Sequence, residues 1–263
     1  MNRFCAIFTV LIILLGLAAC TKSAESSAQE QQWTLPVFSS IMDSFIRVPG
    51  GSITMGGPVA GSTGLVYEDP SRQTTVSPFF IAIFPVTQQE YEELMKTNPS
   101  PAKSENMQVA GVSWFDAVEY CNRLSLREGL TPSYTINGTD VIWNRDANGF
   151  RLPTEAEWEF AALAGTNTPF GGMGTAHPWG IRDMPPVDTW EWCWDWHDRY
   201  PGEAQTDPAG PASGTQRVLR GGQLFGGTYG REVRSTFRSH SPPSEHGDYF
   251  SFRVVRPSSP PPG

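Results

Sequence analysis

Charge is scarce in this chain of 263 residues: 17% are Asp, Glu, Lys or Arg, and the formal balance is −8. A phosphate backbone needs a basic face, so nucleic acid is not an expected partner. Histidine is scarcer still, with residues only at 177, 197, 240 and 246, and no two have a paired metal-binding spacing. Asp195 or Asp198 beside His197 could suggest a ligand set, but a solvated acidic loop is the preferred reading. The four cysteines, at 5, 20, 121 and 193, make no disulfide framework; a Cys121–Cys193 bridge stays open without a spacing rule to support it. Long apolar runs are absent too. The longest, residues 6–17, falls short of the roughly 20 residues a membrane span needs.

What the chain has in quantity is Gly (26), Pro (23) and aromatic residues (12%), the composition of a loop-rich globular protein with little helix. At its N-terminus, Arg3, the short apolar run and Leu17-Ala-Ala-Cys20 resemble a bacterial lipoprotein signal, residues 1–20, with Cys20 as the lipidated residue. That motif implies a lipid-anchored protein of the bacterial envelope, expected on the outer membrane and cell surface. Residues 21–32, rich in Ser, Ala, Glu and Gln, read as a flexible tether. The folded domain is expected over residues 33–257, followed by a Pro-rich tail at 258–263.

Several local signals fix elements within that domain. Ile46 to Gly56 gives two short strands joined at Pro49-Gly50-Gly51, and Thr75 to Val86 a strand running into a helix. Thr87-Gln-Gln-Glu90 and Thr154-Glu-Ala-Glu157 are capping boxes, each opening a helix, and Ser113 opens another with Asp116 three residues on. In that helix Trp114, Ala117, Val118, Cys121 and Leu124 form one buried stripe. A hairpin turns at Asn137-Gly138. Near the end, Arg217-Val-Leu-Arg-Gly-Gly222 and Phe252-Arg-Val-Val-Arg256 read as strands framing some thirty residues of no regular period. The arginines of this region, 217, 220, 231, 234, 238, 253 and 256, are expected to be structural, tying loops to carbonyls and carboxylates.

Pro85-Val-Thr-Gln-Gln-Glu-Tyr91, Gly111-Val-Ser-Trp-Phe-Asp-Ala117, Gly149-Phe-Arg-Leu-Pro-Thr-Glu-Ala-Glu-Trp-Glu159, Trp190-Glu-Trp-Cys-Trp-Asp195 and the two arginine-bearing words occur in one order. They resemble the formylglycine-generating-enzyme (sulfatase-modifying factor) family over roughly residues 48–256. The resemblance implies an α+β protein with a C-type-lectin-like fold and little regular secondary structure. In catalytic members two cysteines follow the Arg-Gly-Gly word and bind copper as thiolates; here Gln223-Leu-Phe-Gly-Gly-Thr-Tyr-Gly-Arg231 has none. Without thiolates nothing there holds Cu(I), so no catalytic residue, metal ligand or cofactor is expected. Cys121 and Cys193 read as buried, inert thiols. The insert and Asn-bearing turn that the family associates with calcium are replaced by a short passage and Pro185-Pro-Val-Asp188, and calcium is not expected.

The chain also resembles the variable proteins of diversity-generating retroelements, particularly a lipobox-bearing treponemal surface protein, whose diversified segment corresponds to residues 223–251. Function is then expected to be ligand binding by a displayed surface. Its contact set would be Leu224, Phe225, Gly226, Tyr229, Phe237, Ser239, His240, His246, Asp248 and Tyr249, a mixture of aromatic anchors and adaptable polar groups like that of antibody paratopes. The frame would be Arg220, Gly221, Gly222, Arg234, Arg238, Pro243, Phe252 and Arg253. Phe237 and Phe250 could equally be core. The partner is expected to be an unidentified protein or surface ligand, the membrane is reached through lipidated Cys20, and the domain is expected to be a monomer. A metal-dependent enzyme or pseudoenzyme, and a structural envelope lipoprotein, are the alternatives.

Overall fold

Three capping boxes set the helices. In the computed structural model, Thr87, Ser113 and Thr154 each accept from the backbone amide three residues on, and Glu90, Asp116 and Glu157 return a carboxylate to the cap amide. They open α1 (Gln88–Met95), α2 (Trp114–Arg127) and α3 (Glu155–Ala162). The structure describes residues 41–56, 71–165, 177, 179–182, 184, 189–222 and 235–258. The expected stripe of α2 is buried in full, with Tyr120 and Ser125 beside it. Every residue of α3 is buried, including Glu155, Glu157 and Glu159, which requires strong cationic partners.

Strands β1 (Phe45–Val48) and β2 (Gly51–Met55) run antiparallel to β4 (Phe79–Ala82) and β3 (Arg72–Val76), respectively. The expected pair at residues 46–56 is therefore present, but its two strands join different sheets. The strand expected from Thr75 likewise divides. Where both breaks fall, Gly50, at φ 74°, lies so close to Val76 that a Cβ would stand 2.6 Å from its carbonyl oxygen. Opposite, Ser77 is pinned by Asp207, which accepts from its amide and its hydroxyl, each at 2.6 Å. A hairpin of β5 (Tyr134–Asn137) and β6 (Asp140–Trp143) turns at Gly138, φ 62°.

The sheet that positions the site has the order β10-β9-β7-β11, with β7 (Thr189–Trp196), β9 (Arg217–Gly222), β10 (Arg238–Ser241) and β11 (Phe250–Ser251). Two of these strands fall inside the stretch expected to lack regular structure, where four- and two-residue strands are too short to show a period. The last word also changes: only β12 (Val255–Pro257) is strand, beside β4, while Phe252 and Val254 still offer their carbonyls to the amides of Val86 and Ala82. The two-residue β8 (Gln205–Thr206) borders β3, and Ser258 holds the Pro78 carbonyl.

Cross-strand partners share a face of a sheet. Trp192 and Leu219 lie on one side with Trp114 and the α2 stripe, whereas Cys193 and Val218 lie on the other with Trp158 and α3. The domain thus has two apolar clusters divided by one sheet. Trp114, Trp158 and Trp192 are wholly enclosed. At roughly 150–250 Å² each and ~25 cal/mol per Å², burial of each contributes about 4–6 kcal/mol before entropy is set against it.

Candidate functional site

All six residues of β9 are buried, and the arginine frame around it resolves into four clamps, two of which share a carboxylate. Arg220, fully enclosed, donates to Glu155 and Glu159, each at 2.7 Å, and to the Ser235 carbonyl. Arg238 grips Glu155 with Nε and Nη2 at 2.6 and 2.8 Å and reaches the Asp198 carbonyl. Arg253 holds Glu191 with two bonds of 2.8 Å and meets the Ala82, Ile83 and Arg182 carbonyls, while Trp158 donates to the same carboxylate. Arg217 takes a different partner, lying 3.8 Å over the Trp114 ring and 3.5 Å over that of Trp196. Burial pushes its guanidinium down to about 9, Asp195 and Tyr134 only partly opposing this.

These clamps bind the irregular C-terminal chain to α3 and β7. Burial alone would raise the Glu155 carboxyl, but Arg238 and then Arg220 overcome it and hold it at about 2. Glu159, with Arg220 as its partner, stays raised by burial. Gly221 sits at φ 106°, backbone a side chain strongly disfavours, where β9 passes Trp190. Pro243 accepts the Trp114 amide and Phe252 is buried in the core, so both act as supports. Arg231 and Arg234 lie outside the described residues.

Of the expected contact set, Leu224, Phe225, Gly226 and Tyr229 lie outside the described residues. Phe237 is half-buried, 5.6 Å from the Trp190 ring. Tyr249 is 48% exposed, and its carbonyl accepts the Trp190 amide, so Trp190 links these two aromatics. Ser239 pairs with Leu219 on the same face as Phe237. His240 turns to the opposite face, its ring 4.1 Å from that of His197. Exposed His246 approaches the Asp116 carboxylate at 3.0 Å, and Asp248 is exposed. Phe250 packs edge-on against Trp192 and belongs with the core.

Asp195 requires a correction. It does not sit in a solvated acidic loop: it belongs to β7, is 1% exposed, and is pushed up to about 7 by burial and then by Glu155. Period-2 alternation could have placed it on the inner face with Glu191 and Cys193, but the Trp-rich word masks the period. Asp198 is exposed as expected. With Arg72, Trp196, Tyr200, Gln205 and Arg238, Asp195 lines a cavity of about 310 Å³ that sequence reasoning missed. His197 is pushed down to about 4 by burial, Arg238 and His240, and His240 is lowered by burial and Arg238. Both rings are therefore neutral near pH 7. Among the described residues, no group of three or more His, Cys, Asp or Glu could hold a metal ion.

Cys121 and Cys193 are buried free thiols in opposite clusters, each raised by desolvation. A thiolate copper centre therefore does not fit them: soft-metal binding needs a deprotonated, accessible sulfur.

Comparison with known proteins identifies the lineage. Residues 36–180 and 168–258 match the sulfatase-modifying factor enzyme 1-like domain. The chain belongs to this family. Among sulfatase-modifying-factor-like relatives, it is 29% identical to the "Chaperone protein LppX" of Paenibacillus barcinonensis, over 82% of this chain and 86% of that one. It is 29% identical to the "Inactive C-alpha-formylglycine-generating enzyme 2" of Mus musculus (66% and 59% covered) and 28% to the formylglycine-generating enzyme of Streptomyces coelicolor (80% and 88%). Its fold is similar to that of Treponema denticola variable protein 1, with a TM-score of 0.66 and 26% identity over 81% of this chain and 94% of that one. The fold is thus α+β and C-type-lectin-like, as the resemblance implied.

Proposed function

We propose that this chain is a surface-displayed, lipid-anchored binding protein of the sulfatase-modifying-factor family, with no oxidase activity, whose residues 223–251 form an exchangeable recognition surface. The observation that carries this reading is the contrast at the end of β9. The arginine clamps on either side of the segment, Arg220 and Arg253, and Arg238 within it are each tied to a buried carboxylate. The segment itself contains no cysteine. A rigid frame kept around a region without thiolates suits recognition, where contact residues change and their supports do not. Similarity to the treponemal variable protein supports this use of the fold, and similarity to an inactive formylglycine-generating enzyme supports the loss of chemistry.

Trp190, Phe237 and exposed Tyr249 supply the aromatic part of the described surface. Such rings offer large contact areas at low entropic cost. The test pairs a Cu(I) competition titration with an aerobic turnover assay on a cysteine-containing peptide. The purified domain should take no Cu(I) from a chromophoric chelator and should leave the peptide thiol intact. Stoichiometric Cu(I) uptake with oxygen-dependent loss of that thiol would reject the proposal.

A further inference from the structure

The cavity beneath β10 uses none of the groups assigned to display except Arg238, which serves there as a support. It is assembled from five stretches of the chain: residue 72, residue 155, residues 195–205, the turn at residues 210–211, and residue 238. Its volume, about 310 Å³, lies at the low end of the ~300–1,000 Å³ usual for small-ligand sites. Trp196, Tyr200 and Pro211 give it apolar walls.

Besides the buried Arg72 Nε and Tyr200 hydroxyl, which have no hydrogen-bond partner among the described residues, two lining side chains are only half used. Among the described residues Asp195 accepts one hydrogen bond, on Oδ2 from the Glu155 amide at 2.8 Å, with no ion pair and no partner for Oδ1. A carboxyl this deeply buried is ordinarily met at both oxygens. Gln205 accepts the Arg72 guanidinium on Oε1 at 2.8 Å. This bond fixes which way the amide faces and leaves its Nε2 donating to no described residue. Thus the Asp195 acceptor and the Gln205 donor line the same space.

Charge decides what kind of ligand fits them. Arg220 and Arg238 are balanced by Glu155 and Glu159, which leaves Arg72 and Asp195 as the other buried basic and acidic groups of the lining, one of each. Arg72 is itself held against the Tyr200 ring at 4.3 Å. The exposed rim adds Asp198 and Arg199, again one of each sign. No net field draws in an ion, and desolvating one would go uncompensated.

We infer that this cavity binds a neutral polyhydroxylated ligand, a sugar ring or a polyol of that size, one hydroxyl donating to Asp195 and another accepting from Gln205. Neither residue belongs to the segment at 223–251, so this site stands or falls independently of the proposed display function.

Saturation-transfer NMR on the purified full chain, with methyl α-D-glucopyranoside, methyl β-D-galactopyranoside and myo-inositol as probes, tests it. Acetate, methylammonium and N-methylacetamide serve as the anionic, cationic and amide comparisons. At least one polyol should bind with a Kd on the order of 1 mM, the range expected of a few hydrogen bonds on an apolar wall. Binding should weaken about tenfold or more in Asp195→Asn, which retains an oxygen for the Glu155 amide but offers a donor where an acceptor is needed. Gln205→Ala, at a half-exposed position, should weaken it too and decides the matter if the first variant does not fold. Saturation by the ions or the amide alone, no polyol signal, or polyol binding unchanged in the folded variants would overturn the inference.

Discussion

Glu155→Gln is the most informative change in the frame, because a single carboxylate serves two clamps. Arg238 makes two bonds to it and Arg220 one, all between 2.6 and 2.8 Å, and every group involved is buried. Glutamine has nearly the same shape but removes the charge and turns an NH₂ group toward a guanidinium. Removing one partner of a buried pair costs about 3–5 kcal/mol. The carboxyl's displacement gives a similar figure: a fall from 4.5 to about 2 corresponds to about 3 kcal/mol of preferential binding to the ionised form. At roughly 2–4 °C per kcal/mol for a domain of this size, Tm should fall by about 10 °C at pH 7. The wild-type advantage is present above the ordinary carboxylate pKa and is lost as pH falls toward 2, so the two proteins should converge in acid. Calorimetry at pH 7 and pH 3 reads both effects. A variant within about 2 °C of wild type at pH 7 would refute the claim that these clamps hold the frame.

Asp195→Asn carries the opposite sign. The raised pKa means that the folded protein keeps a proton which the unfolded chain releases, so wild type loses stability as pH climbs from about 4 to about 7, by at most about 4 kcal/mol. The asparagine variant should lack this decline, and chemical denaturation at pH 5 and pH 8 should show it gaining on wild type at the higher pH. Gly149→Ala should cost about 3 kcal/mol in urea unfolding. Its Cβ would lie 2.3 Å from the Thr131 carbonyl oxygen and 2.5 Å from Ser125 Oγ, the atom that accepts the Phe150 amide and donates to the Cys121 carbonyl.

The parts of the fold legible in sequence are those written within a few residues. Each capping box is complete within four positions, and the Asn137-Gly138 turn announces its own hairpin. The five-residue stripe of α2 follows from a 3.6-residue period. Sheet membership was not legible, because β4 lies between β1 and β12, some 35 residues away on one side and 175 on the other, and no local period records such partners. The structural role of the arginines could be read from composition and the chemistry of guanidinium, but their partners could not: Arg220 meets Glu155 and Glu159 across more than sixty residues. Those glutamates look like ordinary polar residues of a capped helix. The cavity is hidden for the same reason, since its five contributing stretches are brought together only by the strand pairing.

Whether a fixed arginine frame carries an exchangeable surface is decided by sequencing this gene across related isolates. Amino-acid substitutions should concentrate in codons 223–251, with Arg217, Arg220, Gly221, Gly222, Arg238 and Arg253 unchanged and mismatches to any template copy confined to adenines. Substitutions spread evenly along the domain, or a segment at 223–251 as constant as the clamps around it, would contradict an exchangeable surface.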